Sequence, residues 1–335
     1  MFQQTVAKGA AARPRRIGSV CCDCDGLESP TGNSRMQSIA SGLQFPEGPI
    51  AMADGSVVLV EIRRGTLTRV TPDGKRTTVA SLGGGPNGAA VGPDGAIYVC
   101  NNGGAWEWQP GEIHLPDGPP AHYSGGSIQR VDLATGRFET LYDECDGRPL
   151  NSPNDIVFDR TGGFWFTCLG YSDGENRRLG AVYYARPDGS KIVRWRSALL
   201  SPNGIGLSPD ERTLYMADCM AGRLYAFDLP QPGVMAPATS MAPGHVVCTL
   251  PGFQWLDSLA LEAGGRICVA TLWNGGITVF DPQGTYEHVA LPDPVTTNIC
   301  FGGPDLRDAW ITCSSTGQLY HCRWPRPGLR LAFNA

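Results

Sequence analysis

One unit of sequence recurs six times along this chain of 335 residues, and that recurrence constrains the fold more than any other feature. Each copy opens with a polar anchor flanked by Pro or Gly, continues as a short apolar strand, turns at an Asp/Gly pair and enters a second apolar strand. The copies begin FPEGPIAM, GPNGAAVG, SPNDIVFD, SPNGIGLS, WLDSLALE and TTNICFGG, so the anchors are Glu47, Asn87, Asn154, Asn203, Asp257 and Asn298. A third strand follows each copy, as in GTLTRVTPDG and GSIQRVDLATG. A fourth fits after the third in the first, second and fifth units. The shortest interval between anchors, 40 residues from Glu47 to Asn87, is about what one four-stranded blade requires. The expected fold is therefore all-β, a single six-bladed β-propeller of four-stranded blades. A β-sandwich of similar hairpins would make six matched anchors a coincidence.

Forty-four Gly and 27 Pro, spread along the chain, supply the frequent turns this reading needs and disfavour long helices. The stretch MQSIASGL, Met36 to Leu43, has strand character but precedes the first anchor with no blade of its own. Pairing it with the sixth blade would close the ring and remove an exposed edge. LRLAFN, Leu329 to Asn334, is the rival closing strand. No linker interrupts the repeat, so residues 36–335 are expected to form one propeller domain. Residues 1–35, rich in Gly, Ser, Ala and charge, are expected to be a disordered leader.

Other classes are disfavoured. A net charge of −5 with mixed signs offers no basic stripe for nucleic acid, and no apolar run is long enough to span a membrane. Residues 1–22 lack the apolar core of a secretory signal, which makes the cytoplasm the default location. The 12 cysteines are scattered, several within apolar runs, and read as reduced core residues. Cys21, Cys22 and Cys24 have no second Cys or His pair nearby at zinc-ligand spacing. No GxSxG elbow supports a serine triad.

In a propeller the first strand of each blade lines the central channel, so the six anchors converge on one mouth. The second-to-third strand loops return to that face, including the long ones at 101–126 and 169–180. Trp106, Trp108, His122 and Tyr123 of the first, with Arg177 and Arg178 of the second, are expected to wall the mouth. Two carboxylates, Glu47 and Asp257, in a narrow dry funnel repel by several kcal/mol at an effective dielectric of about 20 unless a cation or a proton is shared. A divalent cation resolves this. The all-oxygen donor set favours calcium, magnesium or manganese over zinc.

These motifs resemble the gluconolactonase and regucalcin (senescence-marker) family of six-bladed propellers, over about Met36 to Trp324. The specific pieces are GLQFPEGP, RPLNSPNDIVFDRTGGFWFT, SPNGIGLSPDERTLYMAD and LDSLALEAGGRICVAT. The resemblance implies one divalent metal held by Glu47, Asn203 and Asp257, with Asn154 beside them as ligand or substrate contact. Calcium is the first choice, with magnesium, manganese, zinc or iron as alternatives. It also places Arg148 where the family often has a basic substrate-facing residue. The expected reaction is hydrolysis of a small lactone, with Asp257 as general base, Asn154 and Arg148 orienting the ring, and Trp106, Trp108, His122 and Tyr123 contacting substrate. A phosphotriesterase-like hydrolase on the same metal, or a non-catalytic calcium-binding propeller, is the alternative.

Overall fold

A strand that is apolar at every position must be covered on both faces, whereas one that alternates can leave a face in water. Both patterns occur here in a fixed radial order. In the computed structural model, which describes residues 36–238 and 241–333, Val57–Glu61 (VVLVE) and Phe164–Cys168 (FWFTC) are buried throughout. The outermost strands, such as Arg76–Ser81 and Phe138–Tyr142, expose most of their length. Six antiparallel four-stranded sheets result, wrapped about a common hub as a six-bladed propeller. The innermost strands are Pro46–Ala51, Pro86–Val91, Pro153–Phe158, Pro202–Leu207, Trp255–Leu261 and Thr296–Gly302, each packed against the next and the last against the first. Aromatic side chains fill the wedges between blades. Tyr98 of the second blade, for example, meets Phe158 and Phe164 of the third at ring-centroid distances of 5.0 and 5.9 Å.

The ring is closed by Gln37–Ala40, which adds to the sixth blade beside Gln318–Arg323 with Gln37 opposite His321 and Ala40 opposite Leu319. Leu43, fully buried, continues the seam by donating its N–H to Gly317 O at 3.0 Å. The rival closing segment does something else. Leu329 N–H donates to Leu261 O, Gly328 N–H donates to Leu306 O, and Phe333 packs edge-on against Phe158 at 5.9 Å. Residues 328–333 thus run from the fifth and sixth blades to the third, across the channel mouth opposite the anchors. Glu262 fastens the start of this segment, accepting from Trp324 Nε1 at 2.7 Å and Arg326 Nε at 2.6 Å.

One irregularity repeats in every blade. The pairing of the first and second strands shifts register at or beside each anchor, between Glu47 and Ile50, Pro86 and Ala89, Pro153 and Ile156, Pro202 and Ile205, Leu256 and Leu259, and Thr296 and Asn298. Such a bulge bends the strand and re-aims its side chains. Three of these bulges need glycine next to the anchor. A Cβ on Gly48 would lie 2.7 Å from Asn87 O, and one on Gly88 or Gly204 would lie 2.5 Å from Asn154 O or Asp257 O. The expected leader, residues 1–35, and Cys21, Cys22 and Cys24 fall outside the described residues.

Candidate active site

The bulges bring Glu47, Asn87, Asn154, Asn203 and Asp257 to the floor of one well of about 370 Å³. All five side chains are buried. Asn298, the sixth anchor, donates its Nδ2–H to Glu47 Oε2 at 2.8 Å, and Gly48 N–H donates to the same oxygen at 2.6 Å. Burial, then the nearby Asp257 charge, pushes the Glu47 carboxyl well above the usual carboxylate range, against the pull of Asn298 and Gly48. Burial raises Asp257 to about 8, opposed by the Asn203 side-chain amide.

A third carboxylate, Asp155, lies beneath the ring. It occupies the slot that glycine takes in the first, second and fourth blades. Asp155 Oδ1 accepts from Ile156 N–H at 2.9 Å and Oδ2 from Ile205 N–H at 3.2 Å, so it ties the third blade to the fourth. Burial pushes it to about 7, while these donors and Ser258 pull it back.

The donor set fits a hard cation. Among the described residues, the two buried carboxylates have no cationic side chain hydrogen-bonded to them, and beside them Asn154 Oδ1 and Asn203 Oδ1 are buried without a hydrogen-bond partner. An orphaned buried carbonyl costs about 1–3 kcal/mol, and two at one site, next to two carboxylates, are a donor set that could hold an ion taking oxygen ligands. Among the described residues no group of three or more His, Cys, Asp or Glu is arranged to hold a metal, which leaves the mixed amide and carboxylate set as the candidate.

The wall comes from loops. Residues 102–126 begin where Asn102 Oδ1 accepts from Gly104 and Ala105 N–H, then cross the first blade as a hairpin pinned by Glu107 N–H to Gly118 O at 3.0 Å. His114 latches the tip, its backbone N–H donating to Ser315 O and its Nδ1 accepting from Arg63 Nη1 at 2.5 Å. Trp106 faces the well beside Phe45 and Leu115, and Trp108 stands behind it, 6.4 Å from Trp106 and 5.2 Å from Phe45. The Tyr123 hydroxyl is already engaged, donating to Asn102 O and accepting from Ser152 N–H, both at 2.8 Å. Its ring instead buttresses Tyr171, which does line the well. Burial pushes the Tyr123 phenol up. His122 and Arg148 are exposed and outside the well, Arg148 in the short pair of Glu144–Cys145 with Arg148–Pro149. Arg177 lines the well, but Arg178 is exposed.

Sequence reasoning missed Asp155, Tyr171, Trp255 and Trp273 as parts of this region. The signal for Asp155 was present, since PND stands where the first, second and fourth copies read PEG or PNG. Trp255 sits two positions before the Asp257 anchor on the same strand, which was a clue of the same kind. Cys219 also reaches the well, with its thiol pushed well up by burial, so it is not poised as a nucleophile. The other described cysteines are free, most of them buried.

Frame and well together define a six-bladed propeller with a small-molecule site at its hub. The chain belongs to the SMP-30/Gluconolactonase/LRE-like family, which it matches over residues 45–315. It is 27% identical over 295 residues to the gluconolactonase of Zymomonas mobilis, covering 80% of this chain and 76% of that one. Against lactonase drp35 of Staphylococcus saprophyticus it is 30% identical over 263 residues, covering 77% and 73%. The fold is shared with a gluconolactonase from Xanthomonas campestris, at a TM-score of 0.69, 24% identity and coverage of 90% and 96%. It is also shared with regucalcin of Agrobacterium tumefaciens, described as a calcium-binding protein, at a TM-score of 0.66, 20% identity and coverage of 86% and 95%.

Proposed function

We propose that this protein is a divalent-metal-dependent lactonase whose ion is held by Glu47, Asn154, Asn203 and Asp257, with calcium the first candidate. The observation that carries the reading is the pair of orphaned amide oxygens of Asn154 and Asn203 beside two buried carboxylates. Family membership and the gluconolactonase and lactonase relatives support the reaction class. When bound, such an ion supplies Lewis-acid polarisation of the lactone carbonyl.

The chain's own residues do the rest. Glu47 and Asp257 supply negative charge at the floor, and Asn298 holds Glu47 in place. Asp257 accepts a proton from the attacking water through a carboxylate oxygen. The hydroxyl adds to the carbonyl carbon, the ring C–O bond breaks, and the departing ring oxygen takes the proton back from Asp257, which leaves a hydroxy acid. Asn154 Nδ2–H is free to orient the lactone at the same floor. Phe45, Trp106 and Leu115 exclude bulk water from one side, which strengthens electrostatic interactions at the floor.

The test is titrimetric hydrolysis of sugar, aliphatic and aryl lactones by chelator-stripped protein, before and after addition of calcium, magnesium, manganese or zinc. Ion-dependent acid release supports the proposal. Full activity after stripping would remove the ion from it, and inactivity on every lactone with every ion would remove the reaction. Faster turnover of phosphotriesters than of lactones would move the site to that neighbouring class.

A further inference from the structure

We propose that the lactone taken by this site carries an apolar alkyl or aryl substituent, seated on an aromatic rim made by Phe253, Trp255 and Trp273. The inference rests on the lactonase reading above and narrows its substrate class. The three rings form a closed cluster, with centroids 5.9 Å apart for Phe253 and Trp255, 6.1 Å for Phe253 and Trp273, and 5.8 Å for Trp255 and Trp273. They are not a buried core. Phe253 is 74% exposed and Trp273 42% exposed, while Trp255 and Trp273 line the same well as Glu47 and Asp257. Clustered aromatic surface open to water at the lip of a cavity is a recognition feature, since folding alone gains little from leaving it exposed.

The rim is also fixed in place. Trp255 opens the strand that carries Asp257 and pairs with Leu272, which directly precedes Trp273. Trp273 holds φ at 71°, a conformation bulky residues rarely adopt, and its N–H donates to Pro294 O at 2.6 Å. A strained backbone that presents a half-exposed indole fits a ring positioned for contact.

Arg177 and Ser201, two polar side chains that line the well, are already engaged. Arg177 donates to Leu169 O and Leu200 O at 2.7 and 2.8 Å. Ser201 Oγ donates to Asp218 Oδ1 at 2.9 Å and accepts from Met220 N–H at 2.7 Å. Asp117 Oδ1 accepts from Gly118 N–H. A polyhydroxylated ring would therefore turn several hydroxyls toward Phe45, Trp106, Leu272 and Val295, and lose hydrogen bonds to water without replacement. An apolar substituent loses nothing there and covers the rim.

The experiment measures calorimetric binding of three γ-lactams, which resist hydrolysis: unsubstituted, 5-pentyl and 5-phenyl. Hydrolysis of the matching lactones and of glucono-1,5-lactone is measured alongside. The parent protein should bind the substituted lactams roughly tenfold or more tightly than the plain ring. Phe253→Ala removes a mostly exposed ring, and Trp273→Gly removes the indole while relieving the backbone. Each should cut that ratio about three- to tenfold. Equal affinities in the parent, a ratio unmoved in both variants, or higher kcat/KM on glucono-1,5-lactone than on the substituted lactones would overturn the rim. A lactam preference without hydrolysis of any lactone would support the rim and overturn the reaction.

Discussion

Asn298 Nδ2 donates to Glu47 Oε2 at 2.8 Å, a bond that joins residues 251 positions apart and closes the hub where the sixth blade meets the first. Glu47 is a floor carboxyl with both blades packed on it, so its placement depends on ring closure. Glu47→Gln replaces an anionic oxygen with a neutral amide and should weaken ion affinity, with activity partly restored by excess ion. Asn298→Ala leaves the carboxylate but removes its holder, and should cost about 10- to 100-fold in ion affinity. Calorimetric ion titration of both variants checks this. Unchanged affinity in both would remove Glu47 from the ion site.

Asp257→Asn should behave differently, because an amide oxygen can still face an ion but cannot accept the proton of the attacking water. A loss of roughly 100- to 10,000-fold in kcat, persisting at saturating ion, is expected. The measurement is initial rate against ion concentration, with Asn87→Ala as a control expected to cost only modestly. Full recovery of Asp257→Asn by added ion would leave Asp257 as a ligand alone.

The ring-closing seam carries a stability prediction. Leu43 is fully buried among the first- and sixth-blade residues that include Leu59, Trp310 and Leu319. Leu43→Ala should destabilise the fold by about 2–5 kcal/mol, through lost burial and the cavity left behind. Denaturant unfolding measures it. A loss below about 0.5 kcal/mol would mean the seam is not part of the cooperative ring.

Trp106→Ala should reorder lactone preferences while leaving ion affinity alone, because Trp106 lines the wall and carries no floor oxygen. Rates over a panel of lactones and one ion titration decide it. Equal loss on every lactone would assign the loop to support.

His288 gives an acid-limb prediction away from the site. Its Nδ1 lies 2.9 Å from Thr278 Oγ1 and its Nε2 3.2 Å from Gly275 O, and burial pushes its pKa below the usual value. A histidine whose folded pKa is depressed binds its proton more readily when unfolded. Stability is therefore full above an unfolded pKa of about 6.5 and falls as pH drops below it. The parent should lose more melting temperature than His288→Gln between pH 7 and pH 5. Parallel curves would show that His288 stays solvated.

The propeller was legible because its unit repeats. Six anchors at blade spacing specify a ring whatever the details of each strand, and MQSIASGL was recognisable as a displaced strand because it lacked partners of its own. The floor was legible for the same reason, since six equivalent positions must face one axis. The walls were not. Trp108, His122, Tyr123 and Arg148 sit in loops whose course depends on contacts far away in sequence, such as His114 on Arg63 and the Tyr123 hydroxyl between Asn102 and Ser152. Nothing local to WEWQPGEIHLPDGPPAHY reveals which aromatic ring turns inward. Asp155 was missed for another reason. A buried carboxylate in a slot used elsewhere by glycine reads as turn chemistry until its partner on the next blade, Ile205 N–H, is seen.

Residues 328–333 stretch across the hub on the side away from the anchors, with Phe333 resting on Phe158. They turn a tunnel into a cul-de-sac. Among the described residues, a molecule that reaches Glu47 and Asp257 enters past Trp106 on one jamb and Trp273 on the other, and leaves by the same gap. A group held at the jambs therefore stands in the path of whatever leaves.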